Sequence, residues 1–172
     1  MSKKIFIKII VPIFIILIVL VIWIIKNSQD NTSDNAEDNL DFALHVTDKL
    51  DLEKLKSYGL PIVIDFGADS CIPCKEMAPV LSELNEELQG KAIIKFVDVW
   101  EYQELAKDYP ISVIPTQIFI DSNGKPFNPE NPERYQLNQY VYKDSGELAF
   151  TVHEGGLTKS DLLKILKDMG ID

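Results

Sequence analysis

The chain has 172 residues, enough for one domain with a full core plus appendages, and its 27 acidic against 17 basic residues leave a formal net charge of −10. All 27 acids follow Lys26, together with 13 of the 17 basic residues, so the body of the protein is strongly acidic. That balance excludes nucleic acid and anionic lipid headgroups as expected partners, and most of the charge reads as a solvated surface that maintains solubility.

The chain opens on an apolar run. Every residue from Ile9 to Ile25 is apolar, and Ile5, Phe6 and Ile7 extend the stretch past Lys8, whose long side chain can reach the headgroups. Residues 1–26 are therefore expected to form a retained membrane-spanning helix; the exit sequence Ile24-Ile25-Lys26-Asn27-Ser28 lacks the small-x-small pattern of a cleaved signal peptide. Lys3, Lys4 and Lys8 precede the run and only Lys26 follows it directly, which predicts a cytoplasmic amino terminus and an extracytoplasmic domain. Residues 27–41 are polar, acidic and without periodicity, the pattern of a disordered tether.

The domain proper is expected over residues 42–172. Phe42 to Val46 reads as a short first strand, and Thr47 to Tyr58, with Leu50, Leu52 and Leu55, as a helix that Gly59 ends. Leu60 to Phe66 is a buried strand, Ile72 to Leu88 a long helix with Met77, Leu81, Leu84 and Leu88 on one face, and Ala92 to Val99 a second apolar strand. A short helix is predicted over Glu101–Tyr109, stopped by Pro110, then a strand from Thr116 to Asp121 with a turn at Asn123-Gly124. Residues 122–140, with Pro126, Pro129 and Pro132, form the least regular part. A strand pair follows, Tyr140–Lys143 and Glu147–Val152, and Thr158 opens a final helix with Asp161 placed as in a capping box. Strands alternating with helices, then a hairpin and a closing helix, make an α/β protein with a mixed central sheet flanked by helices.

Cys71 and Cys74 are the only cysteines, and they stand three apart where the buried strand gives way to the long helix. A cysteine at the first turn of a helix faces unpaired N–H groups and the positive end of the helix dipole, which lowers its pKa. Cys71 is the expected nucleophile. Cys74, one turn on, is placed to resolve the mixed disulfide that Cys71 would form. Pro73 suits the first turn, where a missing N–H costs nothing. A purely structural disulfide closing so short a loop would constrain the unfolded chain very little. A zinc site would need two more ligands, and only His45 and His153 are available, without His-pair spacing. Redox chemistry is the favoured reading, and no metal or cofactor is expected.

The stretch Val63 to Pro79, VIDFGADSCIPCKEMAP, resembles the active-site segment of thioredoxins, and Ile114-Pro115-Thr116 is similar to the family's second signature; the likeness covers about Phe42 to Gly170. It implies a thioredoxin-like three-layer sandwich. It implies as well that Asp65 is a buried carboxylate exchanging a proton with Cys74, and a strand covered on both faces would independently raise the pKa of that group. An X-Pro bond is by itself usually trans; the resemblance implies a cis Pro115 opposite the sulfurs, with the backbone of Ile114 pairing with an extended substrate. Ile72, Pro73 and Ile114 are thus the expected substrate-contact positions. Pro79 would kink the long helix. The chain departs from the family at Ser70, where a tryptophan is usual, at Ile72, where a glycine is usual, and at 122–140, where thioredoxins use a tight turn; that insert is expected one strand length, roughly 17–20 Å, from the sulfurs.

The resulting expectation is a membrane-anchored extracytoplasmic oxidoreductase that exchanges disulfides with protein substrates, most simply as a reductant of the cytochrome c maturation or disulfide recycling type, re-reduced by a membrane thiol carrier. The alternatives are a disulfide-forming or isomerising oxidant, and a non-catalytic binding module on the same fold.

Overall fold

The structure is a computed structural model, described over residues 40–171. Among the described residues no helix is long and apolar enough to cross a membrane. The run expected to be an anchor, and the tether as far as residue 39, lie outside them.

Five strands form one sheet in the order β2-β1-β3-β5-β4. They are β1 (Ile62–Gly67), β2 (Ile93–Asp98), β3 (Thr116–Ile120), β4 (Leu137–Val141) and β5 (Leu148–Glu154). β2 runs parallel to β1, whereas β1 with β3, β3 with β5, and β5 with β4 are antiparallel, so the sheet is mixed. Helices α1 (Leu52–Ser57), α2 (Ile72–Glu87) and α3 (Lys159–Asp168) accompany it among the described residues.

Strand alternation divides the core into two faces. Val63, Ile94 and Phe119 pack with Met77, Leu81 and Leu84 of α2 and Leu162, Ile165 and Leu166 of α3. Ile62, Ile64, Phe66, Ile93, Val97, Ile118 and Val152 pack on the other face with Leu55 of α1 and, at the edge, Leu105, Tyr109 and Ile111. Every residue of β1 is buried, Asp65 included, as befits a central strand covered on both faces. On α2 the buried positions are Cys74, Met77, Leu81 and Leu84, one stripe at helical spacing. Because Asp65 is two residues from Val63 along β1, it lies on the face that α2 and α3 cover.

Three expected elements differ. The strand predicted over 42–46 is reduced to one bridge between His45 and Phe96, with helical backbone at 40–42. Phe96 exchanges backbone bonds with Leu44 and Val46, but the next carbonyl of that ladder, Phe42, accepts from Asn85 Nδ2 at 2.8 Å instead, and Lys95 Nζ donates to the carbonyl of Ala43 at 2.6 Å. The helix predicted over 47–58 begins only at Leu52, because Asp51 acts as its cap and accepts from the N–H of Lys54 at 3.2 Å. Gly59, at φ +65°, ends it. The helix predicted over 101–109 is a single 3₁₀ turn, Gln103–Leu105. The carboxylate of Asp98 captures the N–H groups of Trp100 and Glu101 at 2.9 and 3.1 Å; Tyr102 N–H still reaches the Asp98 carbonyl, but the bonds donated by Leu105, Ala106 and Tyr109 close i to i+3 rather than i to i+4.

The irregular region is also placed differently from the expectation. The tight turn is present: Asp121 Oδ1 accepts from the N–H groups of Asn123 and Lys125, and Gly124 sits at φ +74°. Phe127 then donates to the oxygen of Phe119, running back along β3. The chain leaves the sheet only after that. It crosses by the 3₁₀ turn Pro132–Tyr135, where Tyr135 Oη donates to Asp168 of α3 at 2.5 Å, and returns as the edge strand β4. Leu137, the first residue of β4, pairs with His153, which pairs with Gln117, which pairs with Asp65. The added segment therefore comes back level with the acid, about 14 Å away across three strand spacings, instead of staying at the far end of β3. The hairpin strands are correspondingly shifted, to Leu137–Val141 and Leu148–Glu154.

Candidate active site

Cys71 is the N-cap of α2, with extended backbone, and Pro73 stands in the first turn. This is local capping chemistry: a sulfur replaces the usual oxygen and accepts from the N–H of Cys74 at 3.4 Å. The two cysteines form a disulfide with Cα atoms 5.3 Å apart. They differ in exposure, Cys71 being partly accessible and Cys74 only 3 % so. An incoming group can reach the first sulfur and not the second.

Around Cys71 the surface is backbone and apolar. Ile72 is 72 % exposed and Pro73 is exposed as well. The Ile114–Pro115 bond is cis, and the carbonyl oxygen of Ile114 lies 3.9 Å from Cys71 Sγ. Gly155 donates to the carbonyl of Pro115 at 2.8 Å, and a β-carbon on Gly156 would stand 4.0 Å from the carbonyl of Pro73. Three separate chain segments, 71–74, 114–115 and 155–156, thus meet at the sulfur. The loop before it is fixed by Asp98, whose Oδ2 accepts from the N–H of Asp69 at 2.8 Å.

Behind the disulfide lies Asp65, fully buried. Removal from water penalises its charged form and pushes the carboxyl from 3.8 up to about 7, against the opposing pull of the Gln117 amide. Gln117 Nε2 donates to Asp65 Oδ1 at 2.7 Å, whereas Oδ2 has no protein partner. A β-carbon on Gly67 would stand 3.3 Å from both Asp65 Oδ2 and Cys74 Sγ, so these two atoms border one small space that glycine leaves open. A carboxyl poised near neutrality can take a proton there or return one.

The structure thereby brings together Cys71, Cys74, Asp65, Ile72, Pro73, Ile114 and Pro115. It leaves the two histidines apart from one another: His45 packs edge-on against Phe96, and His153 is buried on β5, where loss of hydration lowers its pKa. Among the described residues, no group of three or more metal-ligating side chains is assembled. Pro79 is exposed inside α2. The sequence reading missed Gln117 and Gly67. The available signal for Gln117 was a polar residue in the strand Thr116–Ile120, which buried placement obliges to find a partner.

The family model described as Thioredoxin matches residues 43–143. A thioredoxin of Mycoplasmoides gallisepticum (strain R(low / passage 15 / clone 2)) is 37% identical over 81 residues, which is 47% of this chain and 79% of that relative. A thioredoxin H-type of Oryza sativa subsp. indica is 32% identical over 109 residues, 62% of this chain and 88% of the relative. Among solved structures, a crystal structure of chloroplastic thioredoxin z covers 74% of this chain and 93% of its own, with 21% identity and a TM-score of 0.49. With the family model spanning over half of the sequence and relatives matched along most of their own length, the chain belongs to the thioredoxin family of thiol-disulfide oxidoreductases.

Proposed function

We propose that this protein is a membrane-anchored reductant of disulfides in extracytoplasmic proteins. The observation that carries the chemistry is the partly accessible Cys71 sulfur capping α2, with Cys74 buried behind it. In the reduced protein the Cys71 thiolate attacks a substrate disulfide, forming a mixed disulfide and releasing one substrate thiolate. Cys74 gives its proton to Asp65 and attacks Cys71 Sγ. The second substrate thiolate leaves, and the protein departs with the Cys71–Cys74 bond, two electrons having passed to the substrate. The unpartnered Oδ2 of Asp65 beside Cys74 supports its place in this sequence. The exposed Ile72 and Pro73, with the backbone of Ile114 at the cis proline, form the surface on which an extended substrate segment docks.

Anchoring and direction rest on the sequence. The apolar run from Ile9 to Ile25, lysines before it and acids after it support a single-pass anchor with a cytoplasmic amino terminus. The outer compartment is oxidising, so a reductant there draws electrons from a thiol carrier in the membrane. The test is the Cys71–Cys74 reduction potential by equilibration with glutathione: a value toward the thioredoxin end of the family range, about −270 mV, supports a reductant, and one near −120 mV overturns that direction. Cleavage of the domain by protease added to intact cells supports the topology; full protection overturns it.

A further inference from the structure

We infer that Gln117 is a positioning residue of the redox centre, its side-chain amide holding Asp65 Oδ1 and the carbonyl of Gly155 together so that Oδ2 is the face of the acid left open to Cys74. The inference rests on the reading of Asp65 as the proton partner of Cys74.

Gln117 Nε2 donates to Asp65 Oδ1 at 2.7 Å and to the oxygen of Gly155 at 3.1 Å, and lies 3.4 Å from Met77 Sδ. The side chain is fully buried. Both oxygens in reach are acceptors, which dictates that the amide presents its NH₂ to them and not its carbonyl. An NH₂ has two hydrogens. One goes to the acid and one to the loop, leaving neither spare. The fork so formed has three consequences. It occupies Oδ1, so a proton arriving from Cys74 is received on Oδ2, which borders the same space as Cys74 Sγ beside Gly67. It favours the ionised acid, because a donor to a carboxylate stabilises the charge. It ties the acid to Gly155, whose N–H holds the carbonyl of Pro115. The depth at which the acid sits and the loop beside the docking proline are thus set by one amide.

A space-filling role alone would make the amide dispensable: methionine or leucine would occupy the same volume beside Met77 in this apolar layer. What neither supplies is the donor to Asp65.

The test uses the full-length chain and follows the lifetime of the mixed disulfide between Cys71 and a model protein disulfide, from pH 5 to 9. Gln117→Met is expected to move the midpoint of the resolving step up by about one pH unit, and so to slow resolution at pH 7 about fivefold. Attack by Cys71 should slow by less than resolution and keep its own pH midpoint. His153→Asn is run in parallel, because His153 pairs with Gln117 on β5 and titrates nearby; it should leave the midpoint in place. Asp65→Asn separates the two ideas. If its profile keeps the wild-type midpoint, the reading of Asp65 fails; if it flattens while Gln117→Met keeps the wild-type midpoint, the role given to Gln117 is overturned. Should Gln117→Met fail to fold, the unaltered protein still decides: the Gln117 side-chain ¹⁵N resonance is expected to titrate with the Asp65 carboxyl, and a flat response from pH 5 to 9 overturns the assignment.

Discussion

The backbone N–H of Cys74 points at the sulfur of Cys71 from 3.4 Å, one turn along α2. A helix N-terminus offers several such unpaired N–H groups, and their partial positive charge favours a thiolate over a thiol. In the reduced protein, Cys71 should therefore alkylate with a midpoint below the ordinary thiol value of about 8.5. Cys74 should react far more slowly at every pH, being 3 % exposed. Iodoacetamide rates against pH, with mass mapping of the modified residue, check both statements. Equal rates at the two sulfurs would sink them.

Asp65 links the active site to stability. Its folded-state carboxyl is raised from 3.8 to about 7 by burial, so the native protein holds a proton that the unfolded chain has lost over that window. Stability is then lost as pH rises through the window toward 7, by an amount on the order of 4 kcal/mol at most. Asp65→Asn, which cannot ionise, should be the more stable protein at pH 8 and lose that advantage near pH 4. Urea unfolding of both oxidised proteins at the two pH values measures this; a pH-independent difference would refute the coupling.

Gly67 is tested by adding one carbon. A β-carbon there would meet Phe96 Cε2 at 2.9 Å and both Asp65 Oδ2 and Cys74 Sγ at 3.3 Å. Gly67→Ala should cost about 1–3 kcal/mol through overpacking. It should also slow resolution by Cys74 more than attack by Cys71, since the added group intrudes between acid and inner sulfur. Unfolding curves and mixed-disulfide lifetimes give the two numbers, and equal slowing of both steps would count against the geometry.

The carboxylate of Asp98 accepts from the N–H groups of Asp69, Trp100 and Glu101 at 2.8, 2.9 and 3.1 Å. Asp98→Ala removes all three acceptors at once. Each bond contributes about 0.5–1.5 kcal/mol net, and some of the freed groups turn to water, so a loss of about 1–3 kcal/mol is expected. Hydrogen exchange should quicken at Asp69 and at 100–101 without reaching β1. Protection unchanged at Asp69 would show the loop to be held by something else.

The legible parts of this protein are those whose causes lie within a few residues. The strand into Phe66, the helix from Ile72 and the capping position of Cys71 follow from an apolar run, a first-turn proline and one helical period. Thr158 likewise caps α3, accepting from the N–H of Asp161 at 3.2 Å. The short helix expected at 101–109 misled because its first N–H groups had a competing acceptor, Asp98, whose reach no periodicity reports.

What the chain determined alone was the pair of sulfurs, the helix that presents them and the burial of β1, because capping and hydrophobic alternation act between neighbours. What only tertiary structure decided was how the acid behind the sulfurs is held, with Gln117 on Oδ1 and Oδ2 left open beside Gly67. Asp65 and Gln117 are 52 positions apart, and the added strand β4 starts level with them because it pairs through His153. Such contacts arise when strands distant in the chain come into register, and register is set by the whole sheet rather than by any one segment of it.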